Sequence, residues 1–227
     1  MERERVLTII AESAWCGISP DGAFNWQLSL EKLAENLRLP IDQVKETMEE
    51  SFTPQCLTQV EIQTPEGLKR KPLIEVLHDE GIETFVWTVG DEYWQRTKFE
   101  KTGANNFIPL DHYIFSHQKK EKTLRKLIET IANQEQDCFV IVVDDKKSNV
   151  DYVAQLGDEF RERIEIGNYH MKLNDPQANP TAFYRWLQDQ IKNHPGKKLK
   201  LILDFDGVIA DTDSVLFGPV VDRLDTL

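Results

Sequence analysis

The sequence predicts an α/β protein organised on a central parallel sheet, and three stretches carry that prediction. Residues 138–143, CFVIVV, are the most hydrophobic run in the chain and end on Asp144-Asp145. Residues 199–203, LKLIL, end on Asp204, and residues 82–88, IETFVWT, end on Thr88 just before Gly90. Short apolar runs closed by turn residues mark strands buried on both faces, as the strands of a parallel sheet are. Amphipathic stretches of helical spacing separate them, as the crossovers of such a sheet require. Open parallel sheets gather ligands beyond the carboxyl ends of their strands, which is where these polar residues fall.

Taken in order, Val6, Ile9, Ile10 and Ala14 predict a first helix over 3–15, followed by a loop holding Gly17, Pro20, Asp21 and Gly22. Ser29 is the expected cap of a second helix with Leu30, Leu33, Ala34 and Leu37 on its buried face, ended by Pro40. Ile41, Val44 and Met48 mark a third helix. The pair has the outline of a helix-turn-helix, but a DNA reader needs basic residues on its second helix. Here that helix sets Lys45 against Asp42, Glu46, Glu49 and Glu50, so it reads as a packing module. The texture changes near residue 66: Leu73, Ile74, Val76 and Leu77 form a helix stopped at Gly81, which leads into the strand ending at Thr88.

Residues 107–115, FIPLDHYIF, are expected as a strand, and Leu124, Leu127, Ile128 and Ile131 as the buried stripe of the next helix. After Asp145 a helix carries Val150, Val153 and Ala154 and is closed by Gly157. Residues 163–167 predict an edge strand, and 170–180 a polar loop. Thr181 then starts a helix with Phe183, Leu187 and Ile191 buried and Trp186 beside them. A last short helix after Ser214 carries Val215, Leu216, Val220, Val221 and Leu224.

The 227 residues suffice for one α/β domain with an accessory module, and with 40% hydrophobic residues the chain can bury a core. A net charge of −12 opposes extended contact with nucleic acid. A small phosphorylated ligand is compatible with it, because a metal and a few lysines reverse the field locally. Cys16, Cys56 and Cys138 are few and lack C-x-x-C spacing, which points to buried thiols in a reducing compartment. No apolar run approaches a membrane span, so the expectation is a cytoplasmic protein without a membrane partner.

The chemistry concentrates in DFDGVIADTDS, residues 204–214. Asp204 and Asp206, two apart at a strand end, point to one side, where a side-chain oxygen and a backbone carbonyl can reach one Mg²⁺. Two carboxylates on one face repel each other and ask for a cation. The string resembles the nucleophile motif of the haloacid dehalogenase-like superfamily, D-x-D-G-x-x-x-D-[ST]. Thr88 before Val89-Gly90 is similar to the second motif of that superfamily. A lysine at the start of the 120–131 helix is similar to the third. Lys119, Lys120 and Lys122 compete for that place, and Lys120 is preferred because Leu124, Leu127, Ile128 and Ile131 stand four, seven, eight and eleven residues beyond it. Asp144-Asp145 with Asn149 resembles the fourth, acidic motif.

The resemblance implies a three-layer core at 66–213, circularly permuted so that the nucleophile motif comes last, with a helical cap formed by 1–65 and completed by 214–227. The helix beginning at Thr181 is then the right-handed crossover from the edge strand to the centre of the sheet. Exchange of the tail between two chains of a homodimer is another arrangement of the same pieces. The implied activity is Mg²⁺-dependent hydrolysis of a small phosphorylated metabolite. Asp204 is then the nucleophile and Asp206 the acid and base, while Thr88 and Lys120 bind phosphoryl oxygens. Asp204, the Asp206 carbonyl and Asp145 ligate the metal, with Asp144 and Asn149 in support. The alternative is a non-catalytic metal-binding module that works through a protein partner.

Overall fold

The computed structural model describes residues 3–16, 25–58, 60–63, 70–116, 120–135, 137–212, 218 and 220–225. Three helices open the chain: α1 (Arg3–Cys16), α2 (Trp26–Leu37) and α3 (Ile41–Ser51), followed by the single turn α4 (Gln55–Thr58). The cap of α2 is Asn25 and not Ser29. The Asn25 side chain accepts from Leu28 N at 3.0 Å, and Ser29 is buried one turn inside the helix. The helix ends before Pro40, on Arg38 in the left-handed conformation, and Pro40 precedes α3. The 17–24 loop expected between α1 and α2 lies outside the described residues.

A short antiparallel ribbon, β1 (Glu61–Gln63) with β2 (Arg70–Pro72), leads to α5 (Leu73–Asp79). The core then runs β3 (Glu83–Val89), α6 (Glu92–Lys101), β4 (Tyr113–Ser116), α7 (Lys120–Gln134), β5 (Cys138–Asp144), α8 (Lys147–Phe160), β6 (Glu165–His170), α9 (Pro180–Asn193) and β7 (Lys198–Leu203). These five strands form a parallel sheet in the order β4-β3-β7-β5-β6. The last of the described strands is therefore the central one.

Several boundaries depart from the expectations. The expected strand over 107–115 shrinks to four residues. Leu110–His112 is a 3-10 turn instead, entered through Pro109, which lacks the N–H a strand ladder uses. Helix α8 continues through Gly157 to Phe160. A Cβ at Gly157 would stand at ordinary contact distance, 3.5 Å, from the Ile166 carbonyl, where α8 packs on β6, so the helix has no reason to stop there. The edge strand begins at Glu165 and runs on to His170. Helix α9 starts one residue early, on Pro180 after the Asn179 cap, and its Ile191 is exposed.

Strand alternation sorts the core onto two faces. Trp87, Val140, Val142 and Ile202 meet Leu124, Ile128 and Ile131 of α7 and Val153 and Leu156 of α8. Val86, Ile141, Val143, Leu201 and Leu203 meet Leu77 of α5 and Phe183 and Leu187 of α9. The result is a sheet flanked by helices on both sides. The second cluster continues without a break into Leu30 and Leu33 of α2 and Val44 and Met48 of α3. Helix α10 (Val221–Asp225) packs against α1 and α3, with Val220, Val221 and Leu224 fully buried. Val215 and Leu216 lie outside the described residues. Among those residues, no helix is long and apolar enough to cross a membrane.

Candidate active site

The register of the sheet brings three strand ends together. Leu203 pairs with Val86 on one side and Val143 on the other, so Asp204 stands level with Asp144 and with Trp87, and Thr88 lies one residue further along β3. Asp204 N donates to the Val143 carbonyl at 3.0 Å, holding the first residue after β7 against β5. Asp144 and Asp204 continue the alternation of Val142 and Ile202, which face α7. There Lys120 Nζ bridges them, 2.6 Å from Asp144 Oδ2 and 2.7 Å from Asp204 Oδ2.

Lys120 is itself buried, and the start of its helix is fixed by Trp87, whose Nε1 donates to the Lys120 carbonyl at 2.9 Å. Its ammonium lies 4.3 Å from the Trp87 ring. Of its two rivals, Lys122 is exposed and Lys119 lies outside the described residues. Asp144 is enclosed and fully engaged: Oδ1 accepts from Lys146 N at 2.8 Å, and Oδ2 from Asn149 Nδ2 at 3.0 Å as well as from Lys120. Asn149 thus orients Asp144, and Asp144 orients Lys120.

Beyond Asp204 the chain folds into a tight loop. Ile209 N and Ala210 N both donate to the Phe205 carbonyl at 3.0 Å, and Gly207 N donates to Ala210 O at 2.9 Å. Gly207 has φ 75°, and a Cβ on it would meet Asp145 Oδ2 at 3.0 Å, so this loop and Asp145 are in close contact. The Asp206 carboxylate turns the other way, to Lys98 Nζ at 2.7 Å from both oxygens and to Thr212 Oγ1, which donates at 2.6 Å.

Thr88, Trp94, Lys98, Lys120, Asp145, Asp204, Asp206 and Thr212 are among the residues lining one cleft of about 250 Å³. All of the expected site residues reach it except Asp144, which lies beneath. A larger open depression of about 510 Å³, lined by Arg161, Arg163 and Lys197 together with Asp158, Glu162 and Glu165, lies at the amino end of β6 and shares no residue with the cleft.

Lys98 and α6 were not anticipated. The signal is present in the sequence: Trp94, Gln95, Lys98 and Phe99 make one buried stripe, and a lysine on an apolar stripe is an anomaly. The helix is short and holds few aliphatic residues, which hides the stripe.

The electrostatics of the cleft are those of an acidic cluster short of positive charge. Burial pushes the Asp204 carboxyl up to about 7. The Lys120 charge opposes this, and those of Asp144 and Asp206 add to it. Asp145 is raised as well, first by burial and then by Asp144. Burial would also raise Asp206, but the Lys98 ammonium and the Thr212 hydroxyl outweigh it and hold that carboxyl below its ordinary value. Lys120 is held above its ordinary value by Asp204 and Asp144, against burial.

Carboxylate oxygens of Asp144, Asp145 and Asp204 lie within 4.8 Å of one another. Asp145 Oδ1 is buried without a hydrogen-bond partner among the described residues. An orphaned buried carboxylate oxygen beside two further carboxylates is the donor set of a hard cation. Four carboxylates against two buried ammoniums leave two negative charges, which one divalent ion balances. The cluster could therefore hold a metal ion.

Fold and cleft together define an α/β protein with a buried acidic cluster at the carboxyl edge of a parallel sheet. No protein-family model, no curated protein sequence and no solved structure matches the chain, so the chemistry of the cleft has to follow from its own residues.

Proposed function

We propose that the chain is a Mg²⁺-dependent phosphatase of small phosphomonoesters that acts through an aspartyl-phosphate on Asp204, on a circularly permuted haloacid dehalogenase-like core. One observation carries this reading. Asp204 lies at the end of the central strand between Lys120 and the acidic cluster, and Asp206, two residues on, shares the same cleft. The permutation is supported by the position of β7, last in the chain and central in the sheet.

In this mechanism a carboxylate oxygen of Asp204 attacks phosphorus, the bond to the ester oxygen breaks, and that oxygen takes a proton from Asp206, which has to take up that proton before the step, against the pull of Lys98 and Thr212 toward its carboxylate form. Water then gives a proton to Asp206 and attacks the phosphorus, releasing inorganic phosphate and restoring Asp204. Lys120 and Thr88 hold the phosphoryl oxygens and favour the charge that develops on them. Asp204, Asp145 and the Asp206 carbonyl would hold Mg²⁺, which supplies charge neutralisation at the phosphoryl group. Asp144 and Asn149 keep Lys120 in position.

The test is phosphate release from an aryl phosphate with and without Mg²⁺. The wild-type protein is expected to turn over only with the metal. Asp204→Asn should lose at least about a thousandfold in kcat, the scale of removing a nucleophile. A folded wild-type protein that binds Mg²⁺ yet releases no phosphate would favour the non-catalytic metal-binding module instead.

A further inference from the structure

We propose that His170 is a positioning residue of the metal site: its ring N–H holds the Asp145 peptide and thereby aims the Asp145 carboxylate at the cation. This rests on the metal part of the phosphatase reading and adds to it a residue on which Mg²⁺ affinity turns.

The two neighbouring aspartates at the end of β5 are held in different ways. Asp144 is fixed through its carboxylate, whose oxygens accept from Lys146 N, Asn149 Nδ2 and Lys120 Nζ. Asp145 lacks that kind of anchor. Its Oδ1 is buried without a hydrogen-bond partner among the described residues, so the direction of this carboxylate follows from the backbone that carries it. β5 ends at Asp144, and the strand ladder does not extend to that backbone.

The end of β6 pins it instead. His170 pairs with Asp144 in the sheet register, and the next residue, Met171, donates its N–H to Asp144 O at 3.1 Å. The His170 ring reaches one peptide further, with Nε2 2.8 Å from Asp145 O. A carbonyl only accepts, so Nε2 carries the hydrogen. At the other end of the same peptide, Lys146 N donates to Asp144 Oδ1 at 2.8 Å.

The Asp145–Lys146 peptide is thus held at both its oxygen and its nitrogen, and the peptide before it at its oxygen. Two fixed peptides set both torsions at the Asp145 Cα, and with them the direction of its Cα–Cβ bond. Of these three bonds, only the one from His170 comes from a side chain that can be exchanged without altering a carboxylate of the site. Side chains that orient ligands in this way commonly set metal affinity by about tenfold to a hundredfold.

The test is calorimetry of Mg²⁺ binding to the full chain, beside thermal melts in a chelator, for wild-type protein, His170→Gln and His170→Leu. Glutamine can offer the carbonyl an N–H, and leucine cannot. We expect His170→Leu to bind Mg²⁺ about tenfold to a hundredfold more weakly than the wild type, and His170→Gln to recover most of the loss. A role confined to stability would lower the melting temperature and leave Mg²⁺ affinity alone. Wild-type affinity in folded His170→Leu, or an equal loss in His170→Gln, overturns the positioning role. Where His170→Leu does not fold, nitrogen NMR of the wild-type ring decides. A hydrogen on Nε2 and a resonance moved by Mg²⁺ are expected; a hydrogen on Nδ1 alone, or a resonance that Mg²⁺ leaves in place, overturns the role. No Mg²⁺ binding by folded wild-type protein overturns the metal site, and the inference with it. Mg²⁺ binding that depends on His170 without phosphate release overturns the phosphatase reading and upholds the positioning role.

Discussion

At the scale of single residues the cleft is a set of carboxylates whose burial is only partly offset by lysines, and this has a consequence for stability. An acid whose folded value lies above its unfolded one binds more protons folded than unfolded between the two, so stability falls as pH rises through that window. For Asp204 the window runs from its ordinary 3.8 to about 7. Asp206, held low by Lys98, acts in the opposite sense, and its contribution is lost as pH falls below the ordinary carboxylate value. In a chelator at pH 8, Asp204→Asn should therefore melt above the wild type, by on the order of 5 °C. The gap should close by pH 4, and thermal melts at the two pH values read it. A gap of equal size at both would rule out this account of Asp204. The sequence made Asp204, Asp206, Thr88 and Asp145 legible because each ends a strand in a recognisable string. Lys98 showed only as a lysine on a short buried stripe, and its pairing with Asp206, 108 residues away in the chain, was not legible.

At the scale of elements, the site depends on backbone that can pass close to Asp145. Gly207 and Gly81 both have positive φ, 75° and 68°, but a Cβ on Gly207 would strike Asp145, whereas one on Gly81 meets nothing within 4 Å. Alanine at either position should cost about 1–2 kcal/mol of stability from the left-handed backbone alone. Only Gly207→Ala should also weaken Mg²⁺ binding, since it displaces the carboxylate with the orphaned oxygen. Calorimetric titration with Mg²⁺ beside thermal melts separates the two effects. Equal Mg²⁺ affinity in both variants would remove Asp145 from the metal site. Strong apolar runs such as 138–143 and 199–203 could be read directly as strands. β1 and β2, three residues each, could not, and β4 was read too long, because the 3-10 turn before it does not differ from strand in local pattern.

At the scale of the whole molecule, the parallel sheet has β7 at its centre, so β3, β5 and β7 bring Thr88, Asp144 and Asp204 together only once β7 has inserted between strands that precede it in the chain. The order of the strings along the sequence already implied this arrangement. The shared core between the sheet and α2 and α3 was less visible, because a buried helix face does not say what covers it. Tail helix α10 returns to α1 and α3, joining the two ends of the chain in one packing unit. The central claim is that this arrangement serves to make Asp204 a nucleophile. The most direct measurement is rapid acid quench of the Mg²⁺-loaded protein with an aryl phosphate, followed by mass spectrometry of its peptides. The account predicts one transient phosphoryl group on Asp204, absent from Asp204→Asn and longer-lived in Asp206→Asn. Phosphate release with no phosphorylated protein, or a phosphoryl group on any other residue, would contradict it.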